Sequence, residues 1–342
     1  MNLQINPQGI SVIICCYNSE KRIIPTLQHL LVQVLPQSVE WELILVDNRC
    51  TDQTVEVAKQ IWKDSNIPLQ ILYEAEPGVS RARHQGILKS RYEYIVFCDD
   101  DNHFEQDYLS KAYHLFETRT DIKMLGGQGI PLPETKPPSW FWNYTESYAA
   151  APQGPQSGWA NALYNAGMAI RRSYFLALHE IGFHFYLTSR KGNALTSGED
   201  SELCYAYRMA NWGIWYEDSM KFNHSIPAAR LTWEYLVRLH KGFSASYVTH
   251  RIYESILFPE RKFRPIREML YHLAIRIKYY PKYKKAKEGD KLILHYHGWW
   301  IIARDLWHFL LSRDTKIKSI KKLKNQLESD EIQKLELTHA TV

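Results

Sequence analysis

Three consecutive carboxylates, Asp99, Asp100 and Asp101, directly follow the apolar run YIVFC. In open α/β sheets ligands bind beyond the carboxyl ends of the strands, so these side chains would border such a site. Asp99 and Asp101 are two residues apart, and side chains at this spacing point the same way on an extended segment. Such hard oxygen ligands suit Mg²⁺ or Mn²⁺ shared with a diphosphate. An isolated pair of this kind could also be a solvated turn.

Two more apolar runs also end in polar residues. LILVDN carries Asp47 at its end, and CCYN carries Tyr17 and Asn18. Because the carboxyl ends of neighbouring parallel strands meet at one edge of a sheet, these side chains would join the three acids. An aromatic ring and a carboxylate could hold a nucleotide base and ribose by stacking and hydrogen bonding, while a metal ion takes the diphosphate.

Alternating apolar runs and helix-like stretches would position these groups. The opening half has four short β-rich runs, as expected for strands buried on both faces of a parallel sheet. They cover Ile10–Cys16, 43–46, Leu69–Tyr73 and 94–98, with helices predicted over 20–34, from 51 or 52 to 62, and over 80–90. Later residues predict a long Pro- and Trp-rich loop over 131–160, strands over 165–171 and 213–216, a helix over 201–211, and helices from about 232 onward. The predicted fold class is α/β with a C-terminal helical extension.

Length, charge and missing motifs limit the function classes. The chain has 342 residues, enough for one large or two ordinary domains, and a formal net charge of +5 from 42 basic and 37 acidic residues. This bias could suit an anionic ligand or a membrane surface, but it is too small to indicate nucleic acid, and no nucleic-acid partner is predicted. The sequence lacks G-x-x-x-x-G-K-[ST], G-x-G-x-x-G after the first strand and H-E-x-x-H. Their absence argues against a nucleoside triphosphatase, a dinucleotide oxidoreductase and a zinc hydrolase.

Cysteine usage and apolar segments predict the compartment. The five cysteines form no C-x-x-C pair and lie mostly inside apolar runs, as expected for buried thiols under reducing conditions. Residues 1–9 lack a secretory pattern, and no apolar stretch reaches the length of about 18 residues that a membrane span needs. A cytoplasmic location is predicted, with the inner face of the membrane left open.

Four segments together resemble a known family. VIICCYNSEKRI, LILVDNRCTDQT, EPGVSRARHQGI and YIVFCDDDN, in this order over about the first 110 residues, resemble the donor half of the inverting family 2 glycosyltransferases. The resemblance implies the GT-A fold, a Rossmann-like and mostly parallel sheet flanked by helices. It implies metal binding by Asp99 and Asp101. It also implies that a set of residues in the four segments binds the nucleotide sugar. These residues are Tyr17, Asn18, Asp47, Asp52, Arg81, Arg83, Asp99 and Asp100.

Two later segments, YNAGMAIRR and SGEDSELCYAY, resemble the acceptor half of the same family. The resemblance implies that Asp200 is the catalytic base and that Glu199 positions the acceptor or supports the donor. An ionised carboxylate within reach of a sugar hydroxyl can take its proton. Both acids could instead only favour the first turn of a helix through its dipole. His224 is a candidate third metal ligand, with a core histidine bonded to backbone as the alternative.

Aromatic and basic segments complete the pattern. Trp140 and Trp142 could stack on the acceptor sugar, although packing of the loop onto its own domain is the commoner role of such residues. Basic stretches after about residue 255, together with Trp299, Trp300 and Trp307, suit either helices lying on an anionic bilayer or a helical subdomain or dimer face.

These observations predict a metal-dependent inverting glycosyltransferase that uses Mn²⁺ or Mg²⁺. The donor would be a nucleotide-diphosphate sugar, most simply a UDP-sugar, and the acceptor a hydroxyl of a glycan or lipid-linked molecule in surface polysaccharide or glycoconjugate synthesis. Residues 1–235 would form the GT-A domain, with a donor half over 1–120 and an acceptor half over 121–235, and 236–342 a helical region. A nucleotidyltransferase and a non-catalytic nucleotide-sugar-binding scaffold subunit are the alternatives, and a homo-oligomer is left open.

Overall fold

The first four apolar runs form a parallel sheet, as predicted. The computed structural model describes residues 7–187, 197–312 and 314–329. Side chains of β1 (Ile10–Cys16) alternate between two hydrophobic cores, with Val12 and Ile14 in one and Ile13 in the other. They alternate because successive residues of a strand point to opposite sides of the sheet. The other parallel strands are β2 (Trp41–Asp47), β3 (Leu69–Tyr73) and β4 (Tyr94–Phe97).

Later strands extend this sheet in mixed orientation. They are β5 (Asn102–Phe104), β6 (Ile122–Pro133), β7 (Gly158–Trp159), β8 (Ala169–Arg171) and β9 (Gly213–Ile226). The strand order within the described residues is β3-β2-β1-β4-β8-β6-β9-β5, and β7 pairs with β9. β8 is antiparallel to β4 and β6, whereas β6 and β9 are parallel. The α/β prediction is confirmed, and β4 is the strand where the parallel half meets the mixed half.

Helices cover both faces of the sheet. One face carries α1 (Ile23–Leu31), α2 (Thr54–Trp62) and α4 (Tyr108–Thr118). The other face carries α3 (Val79–Lys89), α5 (Arg172–Glu180) and α6 (Glu199–Met209). Each helix buries an apolar stripe against the strands, which leaves the loops at the carboxyl ends of β1, β2 and β4 to form a site.

The predicted C-terminal helical extension packs directly on the α/β part. Its helices are α7 (Trp233–Ala245), α8 (Tyr247–Leu257), α9 (Pro265–Tyr283), α10 (Lys291–Leu311) and α11 (Lys316–Leu327). Ile252 of α8 and Leu323 of α11 belong to the same core as α3, α5 and α6. The predicted boundary between residues 235 and 236 falls inside α7, and the predicted division between residues 120 and 121 falls just before β6. Residues 330–342 of the predicted region lie outside the described residues.

Two long strands differ from the sequence expectation. β9 extends ten residues beyond the predicted 213–216, to Ile226. β6 was not predicted as a strand, and its last three residues fall in the loop predicted over 131–160. β6 contains glycines where backbones meet: a Cβ at Gly127 would lie 2.3 Å from the carbonyl oxygen of Met220, and one at Gly129 would lie 2.3 Å from that of Ala149. Glycine is uncommon inside strands. Because glycines interrupt β6, this strand has no continuous apolar run from which the sequence would predict it.

Two further expectations concern thiols and membrane spans. The five cysteines are unpaired, and Cys16, Cys98 and Cys204 are buried as predicted. Among the described residues, no helix combines the length and the apolar character needed to cross a bilayer.

Candidate active site

A cavity of about 1360 Å³ opens at the carboxyl ends of β1, β2 and β4. The turns after these strands form its polar wall, and the start of α6 together with α7 and α8 forms the opposite wall. Small-molecule sites usually enclose roughly 300–1,000 Å³, so this cavity has room for two substrates at once. Asp99, Asp101 and Asp200 all border it.

The acidic segment after β4 is a turn, not the extended segment expected from the sequence. The backbone N–H of Asn102 donates to the carbonyl oxygen of Asp99 at 3.0 Å, which closes the turn. As a result Asp99 and Asp101 face different partners. Arg83 Nη2 lies 2.8 Å from Asp99 Oδ1, whereas Arg230 Nη1 lies 2.9 Å from Asp101 Oδ2. Both carboxylates still border the cavity, as expected. Their orientations differ from the expectation, because the two side chains do not point the same way.

His224 lies beside Asp101. β9 pairs antiparallel with β5, and this pairing places His224 opposite Asn102. The Nε2 atom of His224 is 3.3 Å from Asp101 Oδ1. His224 also borders the cavity. The two side chains are therefore brought together by a strand pair that links distant parts of the chain.

Asp100 binds back to the loop after β1. Its carboxylate accepts from Arg22 Nη2 at 2.9 Å and from the hydroxyl of Ser19. Burial, together with the neighbouring charge of Asp101, raises the pKa of Asp100 above its usual range. Asp100 borders the cavity, but these contacts mainly hold the acidic turn against the start of α1.

Arg83 connects the acidic turn to the start of α6. Its guanidinium lies 2.8 Å from Asp99 Oδ1 and 3.3 Å from Glu199 Oε1. The side chain is buried because α3 begins deep in the cavity wall after Gly78, whose φ of 141° favours glycine. Asn48 Oδ1 accepts from the N–H of Gly78 at 2.8 Å and so fixes where this helix begins. The acid of the turn after β4 and the acid of α6 are thus joined through one cation.

Replacing Arg83 with methionine is expected to lower the free energy of unfolding by about 3 kcal/mol, because Glu199 and Asp99 lose their shared counter-charge. Arg81→Met is a matched control on the same helix. Its pair with Glu76 is exposed on both sides, and such surface pairs contribute about 0.5 kcal/mol. Urea denaturation of both variants measures the difference. Equal losses at the two positions would contradict the linking role of Arg83.

Asp200 lies in the first turn of α6. This helix begins after Gly198, which has a φ of 114°, and the Asp200 side chain accepts from the N–H of Ser201 at 2.7 Å. Desolvation in the cavity wall, together with the charge of Glu199, raises the pKa of Asp200 to about 7. A carboxyl group with such a pKa is suited to exchange protons near neutral pH. Glu199, in contrast, is held by Arg83 and by Asn165 Nδ2 at 3.3 Å.

Two further predicted nucleotide contacts, besides Arg83, Asp99 and Asp100, border the cavity. Tyr17 is 62% exposed there, so its ring face is open to a ligand. Asn18 adopts a φ of 50°, and its side-chain oxygen accepts from the N–H of Thr51 at 2.8 Å. This bond ties the turn after β1 to the turn after β2. The neighbouring residues Asn48 and Arg49 also border the cavity.

Three predicted nucleotide contacts do not border the cavity. Asp47 accepts from the N–H of Cys50 at 2.7 Å and shapes the turn after β2. Asp52 accepts from the N–H of Glu20 and of Thr54, both at 3.1 Å, and so links two loops. Arg81 is exposed and pairs with Glu76. These side chains shape or flank the site. The sequence pattern does not distinguish a side chain that shapes a loop from one that contacts the ligand.

The two predicted acceptor tryptophans lie away from the cavity. Trp140 is buried, its Nε1 donates to Glu288 Oε1 at 2.6 Å, and its ring packs 5.2 Å from that of Trp233. Trp142 is exposed, with its ring 5.2 Å from that of Phe141. The stacking role expected for them does not fit these positions. Their segment packs against α7 and the α9–α10 turn, because its rings find a larger apolar surface there.

Several residues that border the cavity were not predicted from the sequence. One group lies on α7, where Tyr235, Leu239 and Phe243 recur every four residues and face the cavity. Tyr148 joins them, with its ring stacked 6.0 Å from that of Tyr235. The four-residue spacing was a usable signal, but an apolar helical stripe predicts burial in general and not a particular cavity. The cavity therefore has a charged end and an aromatic end.

Known proteins with similar sequences are glycosyltransferases. Residues 11–175 match the model of glycosyl transferase family 2. The chain is 30% identical over 151 residues to the poly(ribitol-phosphate) beta-N-acetylglucosaminyltransferase TarS of Staphylococcus aureus, covering 42% of this chain and 26% of the relative. It is 30% identical over 138 residues to the poly(ribitol-phosphate) beta-glucosyltransferase of Bacillus spizizenii, covering 37% and 22%. The matched part thus spans about a quarter of the length of these relatives.

A solved structure shares the fold. The crystal structure of S. aureus TarS 1-349 in complex with UDP-GlcNAc superposes with a TM-score of 0.51 at 16% identity, covering 92% of both chains. The family match also spans β1 to β4, the acidic turn and Arg83, which are the parts that form the charged end of the cavity. The resemblance inferred from the sequence is therefore confirmed over residues 11–175, which match the model of glycosyl transferase family 2.

Proposed function

We propose that this protein is an inverting glycosyltransferase that moves a sugar from a nucleotide diphosphate to a hydroxyl of a glycan or lipid-linked acceptor. One observation carries the proposal: the acidic turn with Asp99 and Asp101 and the raised-pKa carboxyl group of Asp200 border one cavity. A diphosphate needs charge compensation on one side of the reacting carbon, and the acceptor hydroxyl needs a base on the other. The process would be surface polysaccharide or glycoconjugate synthesis, in keeping with the names of the relatives.

The charged end of the cavity suits the donor. Arg22, Arg83 and Arg230 border it and each pairs with one acid of the turn. Guanidinium groups bind phosphate oxygens through two parallel hydrogen bonds, so these arginines could shift toward a diphosphate. The open ring of Tyr17 could stack on the base. A uridine nucleotide is the first choice, because the TarS structure of similar fold contains UDP-GlcNAc.

A divalent cation fits the same end of the cavity. Within the described residues, no group of three His, Cys, Asp or Glu side chains is arranged to hold a metal ion by itself. Asp101 and His224 supply two donors, since Nε2 of His224 and Oδ1 of Asp101 lie 3.3 Å apart, close enough to bind one ion. Mg²⁺ and Mn²⁺ commonly take one or two protein ligands and complete their shell with substrate phosphates and water. We assign the ion to Asp101 and His224, with Asp99 nearby; when bound, it would neutralise charge on the leaving diphosphate.

The chain's own residues would perform the proton transfer. Asp200 accepts the proton of the acceptor hydroxyl as its oxygen forms a bond to the anomeric carbon. The bond between that carbon and the diphosphate oxygen breaks on the opposite face, and the diphosphate leaves with the electron pair. A single displacement of this kind inverts the configuration. Glu199 pairs with Arg83 and positions the start of α6.

The aromatic end of the cavity suits the acceptor. Tyr148 and Tyr235 stack there, and the hydroxyl of Tyr148 donates to the carbonyl oxygen of Arg230 at 3.0 Å. Leu239 and Phe243 extend this wall along α7. Flat ring faces bind the apolar faces of sugars while hydroxyl groups bind at their edges. This end takes over the acceptor role that the sequence assigned to Trp140 and Trp142.

A ligand panel tests the donor assignment. We expect UDP and UDP-sugars to raise the melting temperature of the protein in the presence of Mn²⁺, because a ligand that binds only the native state stabilises it. Guanosine and cytidine diphosphates serve as controls for the base. A purified sample should also release UDP from the sugar nucleotide, and NMR of the product should show the inverted anomer. Stabilisation by no nucleotide diphosphate, with or without metal, would overturn the proposal.

A further inference from the structure

Helices α9 and α10 form an antiparallel pair on the surface. Phe263 contacts Phe309 near one end, and Tyr283 stacks on Tyr296 near the other, with ring centroids 5.4 and 3.9 Å apart. α9 has nineteen residues, and His272 is its single buried residue. A helix this exposed is expected to be polar all round. α9 is not polar, and its outer side carries large apolar side chains.

The exposed apolar side chains lie in rows on both helices. On α9 they are Ile266, Leu270, Tyr271, Ile277 and Tyr280, and on α10 they are Trp300, Trp307, Leu310 and Leu311. Ile266, Leu270 and Ile277 share one side of α9, since residues at i, i+4 and i+11 align on a helix. Arg276, on the flank of this row, lies over the Trp300 ring at 5.5 Å, so the two rows border each other. We call these nine residues the apolar face.

Positive charge surrounds the apolar face. Residues 261–290, which contain α9 and the turn to α10, hold ten basic and three acidic residues, whereas the whole chain has a net charge of only +5. Nine of the ten basic side chains are exposed. Lys278 and Lys282 lie 5.7 and 5.4 Å from the ring of Tyr279, and Lys284 lies 4.8 Å from that of Tyr280. Aromatic and aliphatic side chains are thus interleaved with cations on one surface.

We propose that the apolar face docks on an anionic lipid bilayer. Apolar side chains of an interfacial helix enter the boundary between headgroups and acyl chains, and each Lys or Arg near an anionic surface adds a further attraction. The pairing of Trp, Tyr, Leu and Ile with Lys and Arg matches this environment. A partner protein surface would have to supply both a large apolar area and a dense negative charge.

The apolar face is fixed relative to the acceptor end of the cavity. In the turn between α9 and α10, Glu288 accepts from Trp140 Nε1, and the carbonyl oxygen of Gly289 accepts from the Tyr144 hydroxyl at 2.8 Å. The chain then continues from Tyr144 to Ser147 and Tyr148, which border the cavity. This connection deepens the proposed function and rests on it: a docked protein would meet an acceptor whose lipid anchor stays in the bilayer.

Sedimentation with lipid vesicles tests the inference on the full chain. We expect the protein to bind phosphatidylcholine vesicles that contain phosphatidylglycerol, to bind pure phosphatidylcholine vesicles at least about tenfold more weakly, and to lose binding as salt increases. Ile277→Glu removes the most exposed apolar side chain of the face, and Lys284→Glu with Lys285→Glu reverses two charges. Each should weaken binding by about tenfold or more. Val34→Glu and Lys63→Glu, at exposed positions elsewhere, should bind like wild type.

Two results would overturn the inference. The first is equal sedimentation with charged and neutral vesicles, or none with either. The second is a dimer by light scattering that Ile277→Glu converts to a monomer, because a second copy would then cover the apolar face. Release of UDP from a sugar nucleotide in solution is measured for every variant. If the wild-type protein releases no UDP, that result contradicts the proposed function. If Ile277→Glu loses vesicle binding but still releases UDP, that result supports docking as a property separate from catalysis.

Discussion

Replacing Asp200 with asparagine is expected to lower the rate of sugar transfer by about 10²–10⁴-fold, the range that a positioned general base contributes. Asparagine has nearly the same shape, and its oxygen can still accept from the N–H of Ser201. It cannot take the proton of the acceptor hydroxyl. Affinity for the nucleotide should change by less than about twofold, because Asp200 acts in the reaction step and not on the donor. Initial transfer rates and calorimetric titration with UDP measure the two effects.

The control for this variant is Asp107→Asn. Asp107 is exposed, does not border the cavity and pairs with Lys111 one helical turn later. Its turnover should equal that of wild type. If Asp200→Asn transfers sugar as fast as the wild-type protein does, the catalytic base is another residue. Glu199 would then be the first candidate.

The raised pKa of Asp200 also predicts two pH effects. Transfer should increase with pH through about 7, because only the ionised carboxylate can accept the proton. Stability should change in the opposite direction: the folded pKa lies above the unfolded one, so the contribution of Asp200 to stability falls as pH rises from about 4 to about 7. Asp200→Asn should therefore gain melting temperature relative to wild type near pH 8 and not near pH 4. Equal differences at both pH values would contradict the pKa assignment.

Replacing Asp101 with asparagine is expected to weaken Mn²⁺-dependent nucleotide binding by about 10–100-fold, and transfer should fall with it. Asp101 is buried and contacts both His224 and Arg230. Asparagine keeps the shape but removes the negative charge that would attract a divalent cation. Calorimetric titration with UDP in the presence and absence of Mn²⁺ separates the metal-dependent part. Binding without metal should change little.

Asp100→Asn is the matched control in the same turn. Asp100 binds Arg22 and Ser19 and not the proposed metal ion, so Asp100→Asn should keep the response to Mn²⁺. If Asp100→Asn removed the metal response and Asp101→Asn did not, the metal assignment would move to Asp100. A full Mn²⁺ response in both variants would remove the metal from this turn.

The charged end of the cavity was largely predictable because its signals are local. Apolar runs followed by Tyr17, Asp47 and Asp99 mark strand ends, and parallel strands bring those ends to one edge. Tyr17, Asn18, Arg83, Asp99 and Asp100 lie on the cavity wall, and nucleotide-sugar binding by them stays a prediction. Asp47, Asp52 and Arg81 belong to the same segments, yet a local pattern does not reveal which side chain is used to close a turn.

The amino-acid sequence alone was sufficient to predict the α/β class, the family resemblance, the acidic segment after the fourth strand and the pair Glu199 and Asp200 as site candidates, since each depends on residues adjacent in the chain. The three-dimensional structure decided which groups meet. It turned Asp99 toward Arg83 and Asp101 toward Arg230, replaced Trp140 with Tyr148 and Tyr235 at the aromatic end, and placed α7 and α8 in the cavity wall. The physical reason is distance along the chain: these contacts join residues far apart in sequence, and the turn geometry and helix packing that create them arise only when the whole core forms.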